Sequence, residues 1–315
     1  MGGITHGAGG CCPPAGKKVI VNTFKGIFPA LITPYTPGGE LNEASLVALV
    51  ERLIRQGVAG FYAMGSSGEC FLLDEAERRR GLEVVFAAAG GRVPVIAQIG
   101  STSTRQSVRL AEHAASLGVA AVSSVSPFYY KYDFAGLLTH YRAIMDAVDL
   151  PMIVYNIPSL SGVTYTLDQL QQFGSDPRIV GIKHTSQDLF QLERIRALVP
   201  RLTVFNGFDE MFLAGLSMGA HGAIGTTFSF MAPKFIRIQR LYEAGRMADA
   251  LAEQHSANTV IAALIAAGVF SGTKHFIERQ GIACYGCREP MQALHPEHAA
   301  RLDALLDQLE PLADD

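Results

Sequence analysis

Two residues carry the strongest chemical signal in this sequence, Lys183 and Tyr155. Lys183 comes near the end of the apolar run 179–185, and Tyr155 holds the same place in the apolar run 152–156. Burial strips water from an ammonium group, so its pKa falls and the neutral, nucleophilic amine becomes available near neutral pH. A neutral amine of this kind can attack a ketone to form a Schiff base. The pair therefore predicts a lysine-dependent aldolase or lyase.

The ordinary alternative for a lone lysine is a side chain that snorkels to solvent or forms an ion pair. The period-2 geometry of a strand places Gly181, Lys183 and Thr185 on one face. Tyr155 takes the corresponding face next door, and because adjacent strands lie about 4.8 Å apart, its phenol can reach the amine. A titratable partner within reach favours the catalytic interpretation. His184, on the opposite face, is predicted to point toward the helices.

These residues need a scaffold, and the sequence alternates β-branched runs with amphipathic helical segments from residue 26 onward. The predicted strands are Gly26–Ile32, Gly60–Met64, Val93–Ile99, Ala120–Val125, Met152–Ile157, Ile179–Thr185, Leu202–Asn206 and Ala223–Thr227. The predicted helices are Glu43–Gln56, Asp74–Ala89, Thr104–Leu117, Phe134–Met145, Asp188–Leu198, Met211–Met218 and Pro233–Ala244. Eight strands alternating with helices are typical of an α/β protein with a closed (β/α)8 TIM barrel.

The alternative architecture is an open, doubly wound sheet, which carries a glycine-rich phosphate turn after its first strand. The segment 33–39 that follows the first predicted strand has no G-x-G-x-x-G spacing, so the barrel is favoured. We expect a flexible tail over residues 1–18, the barrel over 19–245 and a C-terminal helical extension over 246–315. The helices predicted in that extension are Met247–Val269, Lys274–Gln280 and Glu297–Leu309.

The composition limits the class of protein. The chain has 315 residues, of which 49% are hydrophobic and 17% charged, and this balance predicts a well-filled core rather than disorder. A net charge of -3 offers no basic surface for nucleic acid. No apolar stretch approaches the roughly 20 residues of a membrane span. We therefore expect a soluble protein that binds neither nucleic acid nor membrane.

The cysteines and histidines raise the question of a metal site. Cys284 and Cys287 form a C-x-x-C pair, and His295 and His298 follow it. The stretch between the two pairs is shorter than a zinc-finger spacer, and the histidines are closer together than usual. The nine histidines also form no H-E-x-x-H motif. We expect no metal, and reduced thiols that indicate a reducing cytoplasm.

Barrel enzymes place their sites at the carboxyl ends of the strands, and polar residues gather there in this sequence. Ser66 and Ser67 follow the second strand, where two hydroxyls and backbone N–H groups could hold a carboxylate, although an ordinary turn is equally compatible. Asp209 and Glu210 follow the seventh strand and could accept hydrogen bonds from a polyol. Asp209 is also well placed to cap the next helix. Thr226 follows the eighth strand.

Three motifs at these strand ends are recognisable: Gly65-Ser66-Ser67-Gly68-Glu69, Tyr155-Asn156-Ile157-Pro158 and Gly181-Ile182-Lys183. They resemble the signatures of the pyruvate-dependent class I aldolases that are grouped with dihydrodipicolinate synthase. Four longer stretches are most similar to the branch of that family that cleaves N-acetylneuraminate reversibly to N-acetylmannosamine and pyruvate: 126–130, 155–163, 183–189 and 205–210. The resemblance implies a TIM barrel, a homotetramer and no cofactor.

The resemblance also implies a role for each matching residue. Lys183 matches the Schiff-base lysine, and Tyr155 matches the tyrosine that relays the proton. Ser66 and Ser67 match the pair that holds the substrate carboxylate, with Ser67 standing where the family commonly has threonine. Five residues match positions that contact the sugar chain: Thr185, Gly207, Asp209, Glu210 and Thr226. Tyr129 matches a tyrosine that reaches the site of a neighbouring subunit.

One departure separates the chain from dihydrodipicolinate synthase itself. That enzyme typically carries an arginine after the Pro-Ser of the tyrosine segment, where this chain has Leu160. An apolar side chain cannot form an ion pair with a second substrate carboxylate, which counts against that activity. Three alternatives stay open: an aldolase for another 2-keto-3-deoxy sugar acid, a dihydrodipicolinate synthase, and a non-catalytic sugar-acid binding protein.

Overall fold

The computed structural model describes residues 24–306 and Leu309, so the tail predicted over residues 1–18 lies outside the described residues. Eight parallel strands make one sheet in the order β1-β8-β7-β6-β5-β4-β3-β2. They are β1 (Gly26–Pro29), β2 (Phe61–Ala63), β3 (Val95–Gln98), β4 (Ala121–Val125), β5 (Met152–Asn156), β6 (Ile179–His184), β7 (Thr203–Asn206) and β8 (Gly222–Gly225). A parallel bridge between Ala30 and Tyr62 joins the first and last strands of that order. The predicted TIM barrel is confirmed, and the open sheet is wrong.

The strands are shorter than the predicted runs, mostly at their carboxyl ends. The first predicted strand reaches Ile32, but continuous pairing of β1 with β8 ends at Pro29. The last predicted strand reaches Thr227, whereas β8 ends at Gly225. Beyond these points the chain leaves the ladder to form the loops at the barrel mouth, where function is expected in this fold. An apolar pattern continues into these loops because they remain buried.

Twelve α-helices occur within the described residues, and the sequence prediction missed two of them, α5 and α6. The helices of the barrel are α1 (Glu43–Arg55), α2 (Glu75–Ala89), α3 (Thr104–Leu117), α4 (Phe134–Ala147), α5 (Pro158–Ser161), α6 (Leu167–Ser175), α7 (Leu189–Leu198), α8 (Phe212–Ser217) and α9 (Phe228–Glu243). Those that follow are α10 (Met247–Ala267), α11 (Val269–Arg279) and α12 (Pro296–Asp303). Helix α9 begins at Phe228 rather than at the predicted Pro233. Its backbone has a kink at Met231.

Two separate apolar clusters follow from the alternation of side chains along the strands. The inner cluster fills the barrel and includes Phe28, Tyr62, Ile153 and Phe205. The outer cluster lies between the strands and the surrounding helices. In β6, this alternation turns Lys183 into the barrel and its neighbours outward.

The helices after the barrel bring a late part of the chain to its mouth. Helix α10 packs along α9 and also contacts α8, and α11 packs against α9. The axes of α10 and α11 meet at 119°. Within the described part of the chain, no single helix is long and apolar enough to span a membrane, although α10 and α11 taken together across their bend meet that length and composition.

Candidate active site

The amine and the phenol predicted from the sequence meet inside the barrel. Lys183 and Tyr155 are direct partners in the parallel ladder of β5 and β6. The Lys183 Nζ lies 4.1 Å from the centroid of the Tyr155 ring and 4.3 Å from that of the Tyr62 ring. The lysine is only 4% exposed. Tyr62, which the sequence analysis did not single out, therefore forms a second aromatic surface against the amine.

Burial sets the protonation states of both groups. Loss of hydration lowers the pKa of Lys183 to about 7, although the nearby Asp209 carboxylate acts in the opposite direction. Burial raises the pKa of Tyr155 to about 12, while the hydroxyls of Thr185 and Ser66 oppose that rise. Near pH 7 the site can therefore hold a neutral, nucleophilic amine beside a protonated phenol. This combination suits nucleophilic attack on a carbonyl followed by proton transfer.

The turn after β2 carries the two serines. Residues 66–68 form a short 3₁₀ helix, and Glu69 closes it in the left-handed backbone conformation with φ of 57°. The Ser67 Oγ lies 2.6 Å from the Thr226 Oγ1 of the loop after β8. The Thr33 hydroxyl donates to the Gly68 carbonyl over 2.7 Å. These contacts hold the turn, which we call the serine turn (residues 65–69), at the mouth of the barrel.

Asp209 does not cap the next helix, so that alternative interpretation of the residue is wrong. Its carboxylate accepts hydrogen bonds from the backbone N–H and the hydroxyl of Thr227, at 2.8 Å and 2.6 Å. The residue begins a short 3₁₀ helix whose N-cap position is taken by Phe208, and α8 follows only at Phe212. Burial raises the pKa of Asp209 to about 6, and the two hydrogen bonds from Thr227 oppose that shift. The structure thus turns this carboxyl inward, within the electrostatic reach of Lys183.

Two glycines let these polar side chains approach the backbone. A Cβ atom at Gly207 would lie 1.9 Å from the Thr185 Oγ1, and one at Gly225 would lie 1.9 Å from the Asp209 Oδ1. Any larger residue would displace Thr185 or Asp209. Gly207 therefore contributes space and backbone rather than a side chain.

A cavity of about 500 Å³ opens above the amine. Every residue predicted to be catalytic or to bind substrate lines it: Ser66, Ser67, Tyr155, Lys183, Thr185, Gly207, Asp209, Glu210 and Thr226. Leu160 also lines the cavity and is 62% exposed at its rim. Tyr129 does not line it, since it lies 77% exposed beside Tyr130 in a separate cleft. The structure thus brings together all the predicted site residues except Tyr129.

One side of this cavity was missed by the sequence analysis. It is apolar and comes from the bend between α10 and α11, and we call it the helical wall: Ile261, Leu264, Ile265, Val269 and Phe270. In the sequence, the spacing of these apolar residues is the same as in any helix that packs its apolar face on the barrel. Their position along the chain gave no signal that they face a cavity, because that depends on the 119° bend.

His184 lies behind the site, as its place on the strand predicts. Its Nε2 lies 2.9 Å from the Asp188 carbonyl, to which it donates, and its Nδ1 accepts from the Asn156 amide over 3.2 Å. The ring is buried, and burial lowers its pKa. A neutral histidine held in this way supports the ends of β5 and β6 without reaching the cavity.

The described residues contain three free cysteines, Cys70, Cys284 and Cys287. Cys284 is buried, and His295 caps the start of α12, where it accepts a hydrogen bond from the backbone of Glu297. Across residues 24–306, no three His, Cys, Asp or Glu side chains are grouped so that they could hold a metal ion. Nothing in this part of the chain forms the zinc site considered for the cysteine and histidine pairs.

Comparisons with known proteins agree with the TIM-barrel fold described above. The sequence pattern of the Dihydrodipicolinate synthetase family matches residues 23–309. The chain is also 42% identical over 289 residues to the N-acetylneuraminate lyase of Rhizobium meliloti strain 1021, covering 92% of this chain and 95% of that protein. The chain belongs to the dihydrodipicolinate synthetase family. The resemblance inferred from the strand-end motifs is confirmed.

Two solved structures superpose closely on the chain. CdNal of Clostridium difficile, solved in complex with mannosamine, has a TM-score of 0.88 at 34% identity, with 91% of this chain and 99% of that chain covered. A catalytic lysine mutant of the sialic acid aldolase of Ruminococcus gnavus also has a TM-score of 0.88, at 28% identity, with 91% and 95% covered. Both similarities extend over nearly the whole chain.

Proposed function

We propose that this chain is a Schiff-base-forming lyase that cleaves N-acetylneuraminate reversibly to N-acetylmannosamine and pyruvate. The observation that carries the proposal is the buried amine of Lys183, which lies against the rings of both Tyr155 and Tyr62. Its pKa of about 7 leaves a substantial neutral fraction at neutral pH. The similarity to N-acetylneuraminate lyase over 92% of the chain supports this choice of substrate.

The chemistry begins at the amine. Neutral Lys183 attacks the ketone of the open-chain sugar acid, and loss of water gives an iminium. Tyr155 relays the proton of the hydroxyl at the cleavage point: its phenol passes its own proton to the substrate carboxylate as it takes up the proton of that hydroxyl. The carbon–carbon bond then breaks, its electron pair moves into the iminium to form an enamine, and N-acetylmannosamine leaves as the aldehyde. Protonation of the enamine and hydrolysis release pyruvate and restore the amine.

The remaining residues that line the cavity position the substrate. The hydroxyls of Ser66 and Ser67 hold the carboxylate next to the ketone, on the β2 side of the mouth. Glu210 and the loop that carries Asp209 contact the polyol tail, together with Thr185 and the backbone of Gly207. The helical wall covers the apolar edges of the sugar chain and excludes water from the iminium.

Leu160 favours this reaction over that of dihydrodipicolinate synthase. Its apolar side chain stands on the cavity rim, 62% exposed, where it cannot pair with the second carboxylate of a dicarboxylic product. An aldolase for another 2-keto-3-deoxy sugar acid would use the same lysine and tyrosine with a different fit at the polyol end. A binding protein without turnover would not need an amine of lowered pKa.

The experiment that tests the function is a substrate panel read out by pyruvate release. We expect N-acetylneuraminate to be cleaved faster than shorter 2-keto-3-deoxy sugar acids, and no condensation of pyruvate with aspartate semialdehyde. Borohydride added with pyruvate should leave a stable adduct on Lys183, found by peptide mass spectrometry. An unmodified Lys183 would reject the mechanism, and a preference for a shorter acid would reject the substrate.

We further propose that the protein is a homotetramer of the cytoplasm, in which Tyr129 contacts a neighbouring subunit's site. Tyr129, Tyr130 and Tyr132 are all exposed, at 77%, 67% and 42%, which is an uncommon density of aromatic surface. Free thiols such as the buried Cys70 fit a reducing compartment. Light scattering of the wild type and of Tyr129→Ala tests the assembly, and a monomeric wild type would reject it.

A further inference from the structure

A buried ion pair ties the serine turn to the C-terminal helices. The Glu69 Oε1 lies 2.5 Å from the Nζ of Lys274 on α11, and neither side chain is more than 1% exposed. The other carboxylate oxygen of Glu69 accepts a hydrogen bond of 2.8 Å from the backbone N–H of Arg288. Burial of two charges is costly unless both are paired and hydrogen-bonded, and here both conditions hold.

Lys274 binds three different parts of the chain at once. Besides Glu69, its ammonium donates to the Gly286 carbonyl over 2.6 Å. The same nitrogen lies 4.1 Å from the centroid of the Tyr35 ring in the loop after β1. This single cation therefore joins the loops that follow β1 and β2 to the segment after α11, by an ion pair, a hydrogen bond and a cation–π contact.

The position of Glu69 shows what the pair controls. Glu69 has φ of 57°, a left-handed conformation that residues other than glycine rarely adopt. It comes immediately after the 3₁₀ helix of residues 66–68, so its backbone fixes how the turn ends. The Ser67 hydroxyl, in the middle of that helix, is held by Thr226. The buried carboxylate of Glu69 thus offsets a strained backbone at the end of the segment that presents Ser66 and Ser67.

We propose that Glu69 and Lys274 are a positioning pair that holds the serine turn in the shape that binds the substrate carboxylate. This inference rests on the proposed function, because it takes the serines as the carboxylate site. Neither residue lines the cavity above Lys183, so both act through the turn rather than on the substrate. The pair also links the turn to α11, whose first residues, Val269 and Phe270, belong to the helical wall.

The decisive variant removes both charges together. Loss of one partner would leave the other charge buried and unpaired, which destabilises the fold by itself. The double variant Glu69→Gln/Lys274→Met has no such orphan charge, so we expect it to fold, as checked by circular dichroism and thermal unfolding. The single variant Lys274→Arg keeps the charge and should retain most of the wild-type affinity.

The readout is borohydride trapping of Lys183 over a range of concentrations of two ketones, pyruvate and acetone. Acetone lacks the carboxylate. For the double variant we expect the half-saturating pyruvate concentration to rise about tenfold, because the serine hydroxyls no longer hold the pyruvate carboxylate in place. Trapping by acetone should stay at the wild-type level.

The matched control is Lys234→Met. Lys234 is another buried lysine, whose Nζ donates to the Ser256 hydroxyl over 3.0 Å between α9 and α10, away from the serine turn. This variant should lose stability without any change in the pyruvate dependence. A folded double variant with wild-type pyruvate dependence, or one that weakens acetone and pyruvate trapping equally, would overturn the positioning role. Failure of the wild type to trap pyruvate would instead reject the proposed function.

Discussion

The cavity has two walls of different origin. The strand wall consists of Tyr155, Lys183 and Thr185 at the ends of β5 and β6, where the register of the ladder pairs Tyr155 with Lys183 directly. The helical wall comes from residues 261–270, about 80 positions later in the chain, and reaches the mouth only because α10 and α11 meet at 119°. In the proposed mechanism the strand wall supplies the reacting groups and the helical wall encloses them. Changes in the first should therefore alter kcat, and changes in the second should mainly alter KM.

The largest effect is expected from Lys183→Ala, which removes the nucleophile. Cleavage of N-acetylneuraminate should fall by at least about 10³-fold, since loss of a covalent nucleophile removes the whole reaction path. The fold should be unchanged by circular dichroism because the nearby buried carboxylate of Asp209 keeps its two hydrogen bonds from Thr227. Substantial residual turnover would show that the strand wall does not provide the nucleophile.

Tyr155→Phe should give the next largest effect. Loss of the phenolic proton relay is expected to lower kcat by about 10²–10⁴-fold with a small change in KM, as is typical for general acid–base groups. The matched control is Tyr141→Phe. Tyr141 is also fully buried, but its hydroxyl donates to the Ser124 carbonyl over 3.0 Å, outside the cavity. Equal losses of kcat in the two variants would mean that the effect is structural.

The pH dependence of adduct formation should follow the ionisation of Lys183. With a pKa of about 7, the neutral fraction of the amine falls about tenfold for each pH unit below that value. Above pH 8 nearly all of the amine is neutral. The rate of pyruvate trapping should therefore rise through pH 7 and then level off. Asp209→Asn removes a charge that raises the Lys183 pKa, so the rise should move to lower pH. A flat profile between pH 6 and pH 8 would contradict the lowered pKa.

Phe270→Ala tests the helical wall and should have the smallest effect. Loss of a half-buried aromatic ring that lines the cavity is expected to raise KM for N-acetylneuraminate about tenfold and to leave kcat nearly unchanged. Phe190→Ala is the control, since Phe190 on α7 is 68% exposed and does not line the cavity. A variant that loses kcat but keeps KM would remove the distinction between the two walls.

Asp209 and Tyr62 have partners in the structure that no local sequence pattern indicates. The sequence around Asp209 is compatible with a helix cap as well as with polyol binding, but its carboxylate accepts hydrogen bonds from Thr227, a residue 18 positions later. Local propensity could not anticipate donors that come from another loop. Tyr62 has the pattern of an ordinary inward-facing strand residue, and only the closed barrel places its ring against Lys183. In both cases the partner lies far away in sequence.

The sequence by itself determined the barrel and the strand wall. Strand alternation and helical periodicity are local properties, and in a closed parallel sheet they fix which residues point inward and at which end. Only the tertiary structure decided the helical wall, the turning of Asp209 toward Thr227 and the burial of Glu69 against Lys274. Each of these joins segments that are distant along the chain, and their contacts depend on packing angles and loop paths that no local pattern of residues specifies.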